Sequence, residues 1–190
     1  MRARLLLAYQ ATRPFSFTAS VIPVLVGTLI AACVDFSPVR FLLALIGAVA
    51  IHAGTNLVND YYDHVKGVDG GGTHGPAGMI QRGLISPRAV LTMGTAWFGL
   101  GSAIGLILVA LTGLGLLWLG VANAAAGFFY TAAPVSLAYL GLGEITVFLF
   151  MGPVIVLGTY VVQTETWSWT PMIVSLPLAF KDKGAARRVQ

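Results

Sequence analysis

Asn56, Asn59, Asp60 and Asp63 recur at i, i+3, i+4 and i+7, so a helix through them carries two amides and two carboxylates on one face. Lys66 and Asp69 follow just past Gly67, which permits a bend. Three of the seven acidic residues of the chain, Asp60, Asp63 and Asp69, fall in this stretch. Carboxylates this close repel one another unless a cation separates them. Hard oxygen donors suit Mg²⁺, which keeps several waters and commonly bridges carboxylates to a substrate phosphate. The pattern therefore predicts a diphosphate held through Mg²⁺. A lone aspartate at a helix end would simply mark a solvated boundary; a clustered face bracketed by amides favours a ligand site.

Other polar residues carry weaker signals. Lys66 and Arg82 suit phosphate oxygens, and equally suit charge anchoring at a membrane edge, the role that fits Arg88 after Pro87. His64 and His74, separated by a glycine-rich stretch, are a poor metal signature. Glu144 stands in an apolar run behind Gly141 and Gly143, where an acidic residue is a functional candidate. Tyr130 reads as an interfacial tyrosine, and His52 and Asn123 as hydrogen-bond partners between helices. Gly101 and Gly105 read as a helix-packing pair, and Trp97, Trp118, Trp167 and Trp169 as an aromatic belt.

The elements that must position these residues are apolar. Of 190 residues, 57% are hydrophobic and 9% charged, with a mean hydropathy of +0.84. Soluble domains carry about 25% charged residues, so a water-soluble domain is excluded, and disorder with it. Lone Cys33 excludes a disulfide scaffold. The formal charge of +4 does not indicate nucleic-acid binding, because the basic residues sit at loop ends rather than along one face.

Uncharged runs from Phe15 to Val34 and from Phe41 to Val58 each match a span of roughly 20 residues. Ala89 to Gly143 contains no charged residue over 55 positions and fits two spans with a hairpin near Thr112 to Gly115. A fifth span is expected from about Leu140 to Val162, and Trp167 to Phe180 forms a short sixth. The expected fold is all-α: a polytopic transmembrane helix bundle in one domain, with a mobile cytoplasmic loop over about 63–88. A cytoplasmic N-terminus places ten of the eleven Lys and Arg inside and only Arg40 outside. A lipoprotein signal ending at Cys33 is disfavoured, since its apolar run exceeds the usual 7 to 15 residues.

With the residues in place, a resemblance is visible. Asn59, Asp60, Asp63, Lys66, Gly67 and Asp69 resemble the first aspartate-rich motif of the UbiA superfamily of intramembrane prenyltransferases, in the form similar to 1,4-dihydroxy-2-naphthoate polyprenyltransferases. Thr12-Arg13-Pro14, the run from Gln81 to Pro87, Tyr130-Thr131 with Pro134, the run from Tyr139 to Glu144, and the run from Gly158 to Gln163 strengthen it, so that it covers about Ala11 to Phe180.

The resemblance implies a bundle around a central cavity with a lateral opening to lipid. It also implies transfer of a polyprenyl group from polyprenyl diphosphate to 1,4-dihydroxy-2-naphthoate or a related aromatic acceptor, in menaquinone biosynthesis. Asp60, Asp63, Asp69 and Asn59 are then the metal-binding and catalytic residues, aided by Asn56. Lys66, Arg82 and Arg13 are expected at the diphosphate, and Gln81, Tyr130 and Glu144 along the cavity. The resemblance implies a prokaryotic cytoplasmic membrane. It also implies a second aspartate-rich motif, for which the last residues here offer only Asp182. A silent member that only binds polyprenyl diphosphate, an enzyme for a 4-hydroxybenzoate-type acceptor, and a transporter are the competing readings.

Overall fold

The computed structural model describes residues 2–67 and 78–181, with side chains over 5–67 and 78–176. Asp69, His74 and Asp182 lie outside the described residues. Every regular element among the described residues is helical: α1 (Arg2–Ala11), α2 (Thr18–Ala31), α3 (Pro38–Val65), α4 (Pro87–Thr112), α5 (Gly115–Phe128), α6 (Gly143–Phe150), α7 (Pro153–Thr164) and α8 (Thr170–Lys181). Short 3₁₀ turns at Pro14–Phe17 and Leu137–Leu140 lead into α2 and toward α6.

Proline at the first helical turn starts α3, α4 and α7, where its missing N–H costs nothing. Ser37 and Ser86 cap α3 and α4 by accepting from the backbone N–H of Arg40 and Ala89. The hairpin expected near Thr112 to Gly115 is present, with Gly113 at φ 107.

Among the described residues, four stretches are long and apolar enough to cross a membrane: Pro14–Ala31, Pro38–Val65, Pro87–Thr112 and Gly143–Thr164. One sequence expectation is corrected. At 14 residues, α5 is about 21 Å long, short of a hydrocarbon core of about 30 Å. The expected fifth span is present as Gly143–Thr164, with a break between α6 and α7 where Gly152 leaves the helical region before Pro153. The helix α1 carries no signal that the sequence reading used.

With 28 residues, α3 measures about 42 Å and outreaches the hydrocarbon. Two ends of the bundle follow. At one, Arg40 Nη1 donates to the Gln163 carbonyl at 3.2 Å and its Nη2 pairs with Glu165. Fully buried Gln163 accepts from Ser37 N–H at 2.7 Å and donates to the Ser37 carbonyl at 3.2 Å. The other end carries Arg13, Asp60, Asp63 and Lys66.

Lipid removes the hydrophobic drive between helices, so close backbone approach has to hold them. Glycine supplies it. A Cβ on Gly27 of α2 would stand 2.6 Å from the Val156 carbonyl oxygen of α7. On α3 and α4, Gly54 faces Phe98, Gly94 faces Leu57 and Val58, and Gly101 lies against Ile51. Gly105 has open space where its Cβ would be, so only Gly101 of the expected pair is a packing glycine.

A methyl group at Gly27 must displace backbone. Gly27→Ala is expected to destabilise the bundle by about 1–3 kcal/mol and to lower the unfolding midpoint in detergent. Gly99→Ala, with nothing within 4 Å of the added carbon, is the control expected to leave it unchanged; equal midpoints for both variants would refute the seam.

Candidate functional site

Because α3 runs unbroken to Val65, the acidic motif is helical as its spacing predicts. Its single face resolves into two neighbouring stripes with different partners. One consists of His52, Asn56 and Asp60, one helical turn apart, and it grips the segment entering α2. Asn56 Nδ2 donates to the Thr12 carbonyl at 2.9 Å and to Ser16 Oγ at 3.0 Å. His52 meets Ser20 Oγ through Nδ1 at 2.7 Å and Ser16 Oγ through Nε2 at 3.3 Å. Asp60 forms an ion pair with Arg13, the two side chains 9% and 12% exposed.

The second stripe, Asn59, Asp63 and Lys66, faces the connection between α5 and α6. Tyr139 donates its hydroxyl to Asp63. Lys66 Nζ donates to the Thr131 carbonyl at 2.7 Å and to Ser136 Oγ, and it lies 4.3 Å from the centre of the Tyr139 ring. The shortness of α5 leaves residues 129–142 as connection, which makes this return possible. Left-handed Ser136 and Gly141 turn the chain there.

In the second stripe, Asn59 Oδ1 is buried without a hydrogen-bond partner. A buried amide oxygen left unpaired is costly, and it is a hard donor beside two carboxylates. That donor set fits a small divalent cation. Among the described residues no three His, Cys, Asp or Glu side chains come together as a metal group. Asp60 and Asp63 are the two described carboxylates of the motif.

A cavity of ≈ 230 Å³ opens below Asn59, with Asn56, His52, Tyr130 and Thr146 in its wall. It shares Ala48, Ile51, Asn123 and Ile155 with a larger chamber of ≈ 280 Å³ lined by Leu108, Leu116, Val162 and other apolar residues. The two adjoin along these shared residues, the smaller with polar side chains in its wall and the larger mostly apolar. Gly105 and Gly158 line the chamber with no atom within 4 Å of where a Cβ would stand, so their missing side chains help to keep it open.

The structure brings Arg13, Asn56, Asn59, Asp60, Asp63, Lys66 and Tyr130 to one end of the bundle. Gln81 and Arg82 are not in the cavity wall. The turn carrying them is fastened by Met79 and Ile80 against Ala11, Leu57 and Val90, and the Arg82 side chain is exposed. Glu144, expected at depth in a long span, is exposed in the first turn of α6 at the same end as Asp63. Its charge still reaches the site: burial first, then Asp63 and Glu144, raise the pKa of the Tyr130 phenol above the ordinary tyrosine value.

Sequence reasoning found no sign of the contacts made by Thr12 and Tyr139, and Ser16, Ser20 and Ser136 were not singled out. Ser16 and Ser20, hydroxyls at i and i+4 in an apolar run, were the available signal. His52 was read correctly as an interhelical partner. No hydrogen bond to another helix is seen for Asn123, which lines the cavity and the chamber.

Comparison with known proteins adds the following. A sequence profile of the UbiA prenyltransferase family matches residues 20–180. A 1,4-dihydroxy-2-naphthoate octaprenyltransferase of Bacillus subtilis is 34% identical over 172 residues, 90% of this chain and 55% of that protein. One of Mycobacterium tuberculosis is 37% identical over 161 residues, 84% of this chain and 55% of that protein. The UbiA prenyltransferase domain-containing protein 1 of Danio rerio is 33% identical over 179 residues, 91% of this chain and 52% of that protein. The chain spans about half the length of the curated relatives it matches.

An ordinary tyrosine is half ionised near pH ~10. The Tyr130 signal, isolated spectrophotometrically as the difference between the chain and Tyr130→Phe, is expected to ionise above that. Asp63→Asn and Glu144→Gln each remove a negative charge that opposes the phenolate, so each lowers the midpoint. A midpoint indifferent to both substitutions would separate Tyr130 from the carboxylates.

Proposed function

The chain belongs to the UbiA prenyltransferase family, and from that premise we propose that it takes part in transferring a polyprenyl group from polyprenyl diphosphate to 1,4-dihydroxy-2-naphthoate, in a prokaryotic cytoplasmic membrane with its N-terminus inside. The observation that carries the reading is the arrangement of cavity, chamber and charges. A cavity with His52, Asn56, Asn59 and Tyr130 in its wall adjoins a mostly apolar chamber, and Arg13, Asp60, Asp63 and Lys66 gather at the same end of α3.

Asp60, Asp63, Asp69 and Asn59 are assigned to a divalent cation, Mg²⁺ in this reading, which when bound supplies Lewis-acid stabilisation of the departing diphosphate. Arg13 and Lys66 hold diphosphate oxygens by charge-assisted hydrogen bonds. Arg82 and Gln81 remain candidates only through movement of their turn, and Glu144 acts on Tyr130 through space rather than by contact with substrate.

Transfer breaks the allylic C–O bond, with the electron pair leaving on diphosphate. The electron-rich aromatic ring then forms the new C–C bond, and the group it displaces leaves without that bonding pair. The apolar wall keeps water from the electron-poor carbon, and neutral Tyr130 faces it without surrendering a proton.

The test is product formation from 1,4-dihydroxy-2-naphthoate and a polyprenyl diphosphate, with and without Mg²⁺, beside Mg²⁺-dependent binding of inorganic diphosphate. Product is expected only with Mg²⁺, and Asp63→Asn is expected to reduce its rate by on the order of 100-fold or more. Diphosphate binding without product would favour a chain that keeps the donor site alone. Undiminished binding by Asp63→Asn would overturn the assignment of the site.

A further inference from the structure

Arg13 is held in a left-handed backbone conformation, φ 56 and ψ 61, which residues other than glycine adopt rarely and at a cost. Such a conformation persists only where the surroundings over-determine it. Around Arg13 they do. Its carbonyl accepts from Ser16 N–H at 2.9 Å and from the Ser16 hydroxyl at 2.8 Å, while its own N–H donates to the Gln10 carbonyl at 3.0 Å. The turn thus hangs on Ser16, and Ser16 is fixed from α3.

The hydrogen bonds assign the protons. Ser16 has one hydroxyl hydrogen, and it goes to the Arg13 carbonyl. Ser16 Oγ can then only accept, from Asn56 Nδ2 at 3.0 Å and from His52 Nε2 at 3.3 Å. His52 Nε2 therefore carries the ring proton. Nδ1 is left as the acceptor, and the Ser20 hydroxyl, which also has Met151 Sδ at 3.6 Å, donates to it across the shorter 2.7 Å. The edge-to-face contact with Phe17, ring centres 5.6 Å apart, keeps the imidazole in that plane. The result is one directed chain: Ser20 to His52, His52 to Ser16, Ser16 to the carbonyl of Arg13.

We infer that His52 is a positioning residue for Arg13: acting through Ser16, it fixes the turn that aims the guanidinium at Asp60 and at the diphosphate. The inference rests on the reading of this end as a diphosphate site, but the device itself is independent of any ligand. His52 stands two helical turns below Asp60 on α3, about 12 Å along the axis. It reaches the site by holding a strained backbone in register rather than by contact with a reacting atom. His52 is also buried in the cavity wall, so its two ring nitrogens require partners, and Ser16 and Ser20 supply them.

Gln at this position offers one donor and one acceptor, as the assigned tautomer does; Leu offers neither. The experiment compares the unmodified chain, His52→Gln, His52→Leu and Ser16→Ala in detergent. It reads backbone amide exchange over 13–17 and the Mg²⁺-dependent affinity for inorganic diphosphate. His52→Leu and Ser16→Ala are expected to speed exchange of the Arg13 and Ser16 amides about tenfold and to weaken diphosphate binding about tenfold. His52→Gln keeps both within about twofold of the unmodified chain.

Equal behaviour of Gln and Leu would reduce His52 to a filler of space and overturn the inference. So would unchanged exchange at 13–17 in both His52→Leu and Ser16→Ala. If the unmodified chain binds no diphosphate, the proposed function fails, and the exchange data still decide whether His52 holds the turn. Should His52→Leu not fold, Ser16→Ala carries the comparison.

Discussion

A helix that crosses an apolar bundle cannot carry amides, an imidazole and carboxylates unless each finds a partner there, because no water is at hand to hydrate them. That constraint organises the whole of this protein around α3. His52, Asn56 and Asp60 are buried, and their needs dictate where the chain before α2 must lie. Thr12, Arg13, Ser16 and Ser20 answer them in order along the helix. Removing one partner of a buried ion pair such as Arg13–Asp60 costs far more than the pair contributes when whole. The pair is therefore an anchor of register more than a source of stability.

The back of α3 obeys the opposite rule. It carries no polar stripe, and Gly54, together with Gly94 and Gly101 of α4, draws the two backbones into contact. Glycine serves two ends within the same layer. At Gly27, Gly94 and Gly101 the missing side chain is filled by a neighbour, and the helices lock. At Gly105 and Gly158 it is left unfilled, and a chamber results. A rigid seam on one side of α3 and open volume on another let a single helix both fix the site and border a cavity.

Much of this was legible in sequence, because it is written in local periodicity. Uncharged runs located the long helices, and i, i+3, i+4 spacing placed Asn56, Asn59, Asp60 and Asp63 together. The position of Arg40 in the charge count marked the opposite end. What was not legible depends on residues distant in the chain. Nothing local distinguishes Tyr139 as the partner of Asp63, or Ser16 as that of His52. The division at Gly152 and Pro153 was disguised by apolar residues on both sides, since hydropathy does not register a change of helix axis. The position of Arg82 was not legible for a related reason. Its charge suggested phosphate, but Met79 and Ile80, buried against Leu57 and Val90, decide where its turn sits.

The two stripes of α3 also differ in what holds them, and the difference follows from exposure. The Arg13 and Asp60 side chains are mostly buried, where electrostatic attraction is stronger than at the surface. Lys66 and Tyr139 are exposed, and polar contacts at such positions are worth little, about 0–1 kcal/mol for an ion pair. Asp63 and Lys66 can thus exchange the connection between α5 and α6 for another partner at smaller cost than the buried Arg13 and Asp60 can part. A site that must keep one set of groups in place while another set takes up and gives back an anion needs this asymmetry. Here it arises from helix length alone: α3 continues past the hydrocarbon, so that within one turn its polar residues pass from buried to exposed.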